Sequence, residues 1–148
     1  MTKKAHHDVR CILFPGVGVG PFRYGDKLET LLECFNLEKC ERDCSTATWQ
    51  TWEVCDQEIR LYFNETDKEE RVGLVQIGCF DHLYYKGKNL FGLDLSALSA
   101  LLGEEDEIDS EDYGGRRPIE FYDLGIQVWL NKKGLCDSVM CSEIIQEE

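Results

Sequence analysis

The sequence predicts an α+β fold of two tandem helix-plus-antiparallel-β repeats, with the helices packed on one face of an antiparallel sheet. Leucines at helical intervals precede a hairpin pattern in each half of the chain, and a further strand follows each hairpin. The two hairpin segments, residues 52–64 and 119–131, align without a gap, which indicates related halves. Identical residues occupy four aligned pairs: Glu53/Glu120, Asp56/Asp123, Ile59/Ile126 and Asn64/Asn131.

The first half begins with an apolar segment and a glycine-rich loop. Asp26 is the expected N-cap of the first helix, with Glu29 three residues later in a capping-box spacing. Ile59, Leu61 and Phe63 alternate with polar residues, as in a half-buried strand. The elements predicted in order are a strand at 9–14, a loop at 15–21, a helix at 27–35, a polar loop at 36–46, the hairpin at 52–64 and a strand at 71–80.

The second half repeats this order. Leu98, Leu101 and Leu102 have the spacing of a helix, with Ser96 as the expected N-cap and Gly103 as the expected C-cap. The predicted elements are a strand at 82–86, a turn at 86–89, this helix, an acidic loop at 104–115, the hairpin at 119–131, a turn at 131–134 and a strand at 135–141.

Length and composition indicate one domain over residues 1–148, made of two halves at about 9–80 and 82–142. The 43% apolar content is sufficient for a core. The net charge of −13 argues against binding to nucleic acid or to an anionic membrane and favours a basic partner or simple solubility. We expect a cytoplasmic protein, because no apolar run resembles a signal peptide or a membrane span.

The sequence offers no secure catalytic or metal-binding motif. Arg23 occupies the position of the third glycine of a dinucleotide fingerprint, so the stretch around Gly18 is interpreted as a structural turn. The eight cysteines show no C-x2-C pair, and Cys136 and Cys141 have opposite strand parity, which disfavours a shared face. We therefore expect buried thiols, no metal, no cofactor and no enzymatic activity.

The acidic loop is the most distinctive polar feature and the candidate partner-binding site. Seven carboxylates lie within residues 104–112. A solvated loop is one interpretation; the other is docking on a surface rich in lysine and arginine, with the charges imitating a nucleic-acid backbone. The candidate binding residues are Glu104, Glu105, Asp106, Glu107, Asp109, Glu111, Asp112 and Tyr113.

The segment 18–25 with its following helix, together with residues 122–131, resembles small bacterial proteins built from repeated helix-plus-hairpin modules. Beta-lactamase inhibitory protein and small lipoproteins of outer-membrane assembly contain similar modules. In size and acidity the chain is also similar to immunity proteins of polymorphic and contact-dependent toxins. The resemblance implies binding to a protein and transfers no active site to any position.

These observations lead to the expectation of an immunity protein that binds and blocks a cognate toxin domain, most simply a basic nuclease. A non-catalytic adaptor with an unrelated partner is a second hypothesis. A third is a small-ligand-binding or enzymatic cleft between the halves.

Overall fold

An eight-stranded antiparallel sheet organises the molecule in this computed structural model, which describes residues 11–40, 49–55, 57–64, 68–78, 82–108 and 115–143. A three-stranded sheet, a two-stranded ribbon and two short helices accompany it. The elements in chain order are β1 (Leu13–Phe14), β2 (Gly18–Val19), β3 (Phe22–Arg23), α1 (Leu28–Cys34), β4 (Leu37–Lys39), β5 (Trp49–Val54), β6 (Ile59–Asn64), β7 (Val72–Gly78), β8 (Tyr84–Tyr85), β9 (Lys88–Asn89), α2 (Leu95–Leu102), β10 (Glu107–Ile108), β11 (Arg117–Phe121), a 3-10 turn (Tyr122–Leu124), β12 (Ile126–Leu130) and β13 (Cys136–Ser142).

Two meanders form the large sheet and meet at their last strands. The strand order is β10-β11-β12-β13-β7-β6-β5-β4, so each meander has its first strand at an outer edge. The central pairing places Val75 opposite Cys141 and Ile77 opposite Val139. One continuous sheet therefore contains strands from both halves of the chain.

The predicted fold class is wrong, because the molecule is mainly β and is not a pair of helix-plus-hairpin repeats with helices layered on a sheet. The two helices have only seven and eight residues. Strands β4 and β10 form in segments that the sequence analysis assigned to polar loops. Both lie at sheet edges, where one side needs no pairing partner and charged side chains are common. Polarity was therefore a misleading guide to these two segments.

One face of the large sheet carries the core. Residues that face each other across neighbouring strands point to the same side of a sheet, and the buried residues of the central strands follow this rule. The three-stranded sheet and both helices add their own apolar side chains to the same cluster. Fully buried members include Val19, Phe22, Leu61, Phe63, Ile77, Leu83, Leu90, Leu98, Ile119, Val128 and Val139.

Both predicted helix N-caps are wrong by one or two residues. Lys27 occupies the N-cap of α1 without a side-chain bond, and Asp26 instead accepts a hydrogen bond from the backbone N–H of Arg23. In α2 the cap is Asp94, whose carboxylate accepts from the N–H of Ala97 at 2.9 Å. The predicted C-cap is confirmed: Gly103 has a positive φ of 99°, which glycine adopts without strain.

Cys136 and Cys141 lie on the same buried face, so the parity argument that separated them is wrong. They pair with Leu130 and Ile126 of β12, which both point to the core. The register shifts at Trp129/Leu130. A bulge of this kind adds one residue to one strand and reverses the inward and outward alternation beyond it.

The glycine-rich segment 15–21, predicted to be a loop, contains strand β2. Gly18 lies in β2, and a Cβ atom there would overlap the backbone carbonyl of Phe22 in β3. Only glycine permits this close approach of the two strands. Neither described helix has the length and apolarity needed to cross a bilayer.

Candidate functional site

The described elements leave the second face of the large sheet open. The strand register places one continuous row of side chains across this open face, formed by the outward-pointing residues of neighbouring strands. From one meander to the other, the row consists of Glu38, Glu53, Arg60, Gln76, Met140, Gln127 and Glu120. Most of its members are half-buried, because neighbouring side chains on the same face shield them.

In the first meander, hydrogen bonds fix the polar side chains of the open face. Nε of Arg60 lies 3.3 Å from a carboxylate oxygen of Glu53. The hydroxyl of Tyr62 donates to Oε1 of Gln76 at 2.8 Å, and Nε2 of Gln76 donates to the hydroxyl of Ser138 at 3.3 Å. The last bond links β7 to β13, so side chains as well as backbone join the two meanders.

In the second meander, a chain of two hydrogen bonds orients a carboxylate. Nε1 of Trp129 donates to Oε1 of Gln127 at 2.8 Å, and Nε2 of Gln127 donates to Oε2 of Glu120 at 2.5 Å. Because the amide oxygen of Gln127 accepts from Trp129 and its amide nitrogen donates to Glu120, the orientation of this amide is fixed. Among the described residues, no side chain donates to the other carboxylate oxygen of Glu120.

Arg116 fixes the other side of Trp129. The centre of its guanidinium lies 5.1 Å from the centroid of the indole ring, within the range of a cation–π contact. The same guanidinium bonds to a carboxylate oxygen of Asp137 at 2.6 Å. Trp129 is therefore held both by its ring and by its N–H, which leaves little rotamer freedom to lose on binding.

Two cavities open on this face. The larger, of about 670 Å³, lies over β11–β13. Its lining includes Tyr122 and Met140 beside Glu120 and Glu143. The smaller, of about 330 Å³, lies where β7 meets β13 and is lined mainly by charged and polar side chains. Tyr122, 54% exposed, stands at the edge of the larger cavity.

The acidic segment predicted to bind a partner borders the larger cavity. A carboxylate oxygen of Asp106 accepts the backbone N–H of Tyr122 at 2.7 Å, and the N–H of Asp106 donates to the carbonyl of Glu120 at 2.8 Å. Glu105 accepts a hydrogen bond from the hydroxyl of Ser99. Glu104 is exposed. The start of the segment is thus attached to the sheet.

Of the remaining predicted binding residues, Glu107 alone lies within the described part of the chain. Glu107 belongs to β10 through its backbone pairing with Glu120. Asp109, Glu111, Asp112 and Tyr113 lie outside the described residues. The candidate binding role of the whole set stays a prediction.

The open-face residues were not predicted to form a site, although the sequence contains one signal of it. The aligned pair Glu53/Glu120 is identical, whereas the residue opposite differs: Arg60 faces Glu53 and Gln127 faces Glu120. Of these two carboxylates, Glu53 is therefore neutralised by the residue opposite it, whereas the residue opposite Glu120 brings no charge.

The expectation of buried thiols holds only in part. Cys11, Cys136 and Cys141 are buried in the core, whereas Cys34 is exposed and Cys40 and Cys55 are partly buried. Burial raises the pKa of the Cys141 thiol, and the nearby Cys11 and Cys136 act in the same direction. A thiol with a raised pKa stays protonated and is a poor nucleophile. Within the described ranges, no group of three His, Cys, Asp or Glu side chains is arranged to hold a metal ion.

No family model, curated protein or solved structure matches this chain.

Proposed function

We propose that this chain is a toxin-neutralising immunity protein, acting in the bacterial cytoplasm, that binds and blocks a cognate toxin domain through its open sheet face. The observation that carries the proposal is the contrast between the two faces of one sheet. One face is covered by a continuous apolar core, whereas the other leaves an ordered array of aromatic and polar side chains accessible.

The residue types on the open face suit recognition of a protein. Tyrosine, tryptophan, methionine and arginine are enriched where protein interfaces are buried. Tyr62, Trp129, Met140 and Arg116 are all present here. All but Met140 are held by side-chain contacts within the face. A surface already fixed in one arrangement loses less conformational entropy on association.

The charge of the protein supports a basic partner. The chain has a net charge of −13, and Glu38, Glu53 and Glu120 lie in the row across the open face, with Glu143 beside it. Complementary charge raises the association rate and disfavours wrong partners. Nuclease toxins bind a polyanion, so a basic nuclease domain is the partner that this distribution favours most directly.

A ligand cleft between the meanders is the competing hypothesis that the smaller cavity favours. It lies at the junction of β7 and β13 and has residues of both meanders in its wall. Its two arginines are, however, already paired, Arg60 with Glu53 and Arg116 with Asp137. A bound anion would have to compete with Glu53 and Asp137 for these guanidinium groups, so we favour the protein-binding role.

Co-expression tests the proposed function. The product of the gene beside this one should arrest bacterial growth when expressed alone and should be harmless when this chain is expressed with it. The purified toxin domain should lose its nuclease activity at an equimolar ratio of this chain. A neighbouring product that is not toxic, or whose toxicity this chain does not relieve, contradicts the proposal.

A further inference from the structure

We propose that the larger cavity of the open face binds a cationic side chain, arginine or lysine, presented by the partner, and that Glu120 is the carboxylate that receives it. The inference deepens the proposed function, on which it rests for the basic character of the partner. It adds a defined position at which that partner is recognised.

The two hairpins provide the comparison that carries the inference. Glu53 of β5 and Glu120 of β11 occupy the same position, each directly opposite a residue of the following strand. In the first hairpin that residue is Arg60, which neutralises the carboxylate within the chain. In the second it is Gln127, which donates a hydrogen bond but brings no charge. Glu120 therefore has an oriented carboxylate that no cation among the described residues neutralises.

The cavity beside Glu120 has the shape and chemistry that a long cationic side chain requires. Tyr122 and Met140 provide apolar surface for the methylene stem, whereas the side chain of Ile126 points to the core. The exposed ring of Tyr122 offers a face to the cationic head. Glu143, on the same cavity wall, adds a second carboxylate. Its volume of about 670 Å³ is large enough for one such side chain with part of its backbone.

The hydrogen-bond chain provides a built-in reporter. A cation that binds Glu120 draws electron density from the carboxylate, which alters its bond with Gln127 and, through Gln127, the bond with Trp129. The indole N–H of Trp129 and the side-chain amide of Gln127 each give a distinct nuclear magnetic resonance signal. Binding in the cavity should shift both signals together.

Titration of the full chain with the methylamides of Nα-acetyl-arginine and Nα-acetyl-lysine, whose side chains stay charged, tests the inference. The methylamide of Nα-acetyl-citrulline is the neutral control. We expect a saturable shift of both reporter signals with at least one cation, and none with the citrulline compound. The cation with the lower midpoint is the residue type that the partner presents. No saturable shift with either cation would overturn the inference.

Three variants make the test specific. Glu120→Gln keeps an acceptor for Gln127 but removes the charge, so the saturable shift should disappear. Gln127→Arg should reproduce the Glu53–Arg60 pair inside the second hairpin and also abolish the shift. Glu53→Gln is the matched control and should bind as the parent does. Thermal unfolding of each variant shows that it is folded, and a saturable shift of unchanged midpoint in folded Glu120→Gln would contradict the inference.

This experiment separates the inference from the proposed function. The probes are small and the protein is isolated, so no toxin is needed. If this chain neutralises a toxin but the titration is negative, only the cavity assignment fails. If the titration is positive but no toxin is neutralised, only the immunity function fails.

Discussion

A carboxylate oxygen of Glu53 lies 3.3 Å from Nε of Arg60, across the β5–β6 hairpin. Both side chains are about half exposed, at 43% and 52%. Water and salt therefore screen the pair, and exposed pairs of this kind contribute about 0–1 kcal/mol. We infer that the main effect of the pair is to neutralise the charge of Glu53 on the open face, and that it contributes little to the stability of the fold.

Removing that pair should leave the protein almost as stable as before. Glu53→Gln is expected to lower the free energy of unfolding by no more than about 1 kcal/mol, because the ion pair is screened. Urea denaturation followed by tryptophan fluorescence provides the measurement. A loss of several kcal/mol would show that the pair is buried in solution and that the open face is covered.

The capping of α2 makes a second prediction. Asp94→Ala should destabilise the protein by about 0.5–2 kcal/mol, because it leaves the N–H of Ala97 without its capping acceptor. Ser96→Ala, at the cap position that the sequence analysis favoured, should change stability by less than about 0.5 kcal/mol. The midpoints of denaturation of the two variants are the measurement. A larger loss of stability in Ser96→Ala than in Asp94→Ala would indicate that Ser96 is the cap.

The buried Cys141 thiol predicts a loss of stability at alkaline pH. Burial raises the pKa of this thiol in the folded protein, whereas in the unfolded chain it is about 8.5. The folded state thus holds a proton that the unfolded state releases. The contribution of this thiol to the free energy of unfolding is therefore fully present below about pH 8.5 and is lost as the pH rises. Each proton released on unfolding lowers the free energy of unfolding by about 1.4 kcal/mol per pH unit.

Comparison with Cys141→Ala isolates this effect. The variant should be less stable at neutral pH, but its stability should fall less steeply between about pH 9 and 10.5. Urea denaturation across this range gives both slopes. Parallel slopes would mean that the thiol ionises equally easily in both states, and hence that it is not buried in solution.

The acidic segment makes a fourth prediction, which the structure narrows to one residue. Glu105 and Asp106 accept hydrogen bonds, so neutralising them could disturb local structure. Glu104 is exposed and makes no such bond with another described residue. Glu104→Gln should therefore leave stability unchanged but slow association with the toxin domain at low salt.

The salt dependence and a matched variant complete this test. The Debye length falls from about 30 Å at 0.01 M to about 10 Å at 0.1 M, so the difference in association rate should shrink over that range. Glu29→Gln removes one exposed charge from α1, on the covered side of the sheet, and should slow association less. Stopped-flow kinetics that show equal effects for the two variants would argue against a role of the acidic segment.

Sequence reasoning located features that depend on local pattern. The alternation of Ile59, Leu61 and Phe63 predicted a strand with these three side chains buried, and all three are. The same reasoning overestimated the helices, because a leucine repeat shows that a helix has an apolar side but not that it exceeds two turns. It also missed edge strand β10, whose acidic residues satisfy the usual criteria of a loop.

The candidate site could not be predicted because it is assembled by distant pairings. Gln76 reaches Ser138 only because β7 pairs with β13, and no local pattern specifies that pairing. The bulge at Trp129/Leu130 has no periodic signature, so the faces of Cys136 and Cys141 could not be assigned together. The unequal partners of Glu53 and Glu120 were visible in the sequence but acquired meaning only with the register.

The central claim is that the open face, and not the covered side, contacts the partner. Both sides expose apolar side chains: Met140 lies in the row across the open face, and Phe14, 44% exposed, lies on the three-stranded sheet that covers the core. Substitution by lysine adds one positive charge at either position. This charge opposes the binding of a basic partner only where it lies in the interface.

The most direct measurement is the dissociation constant of the complex with the toxin domain for Met140→Lys and Phe14→Lys, each first shown to be folded by its thermal transition. We predict that Met140→Lys weakens binding at least tenfold, equivalent to about 1.4 kcal/mol, and that Phe14→Lys changes it by less than about twofold. Weaker binding by Phe14→Lys together with unchanged binding by Met140→Lys would place the interface on the covered side and contradict the account.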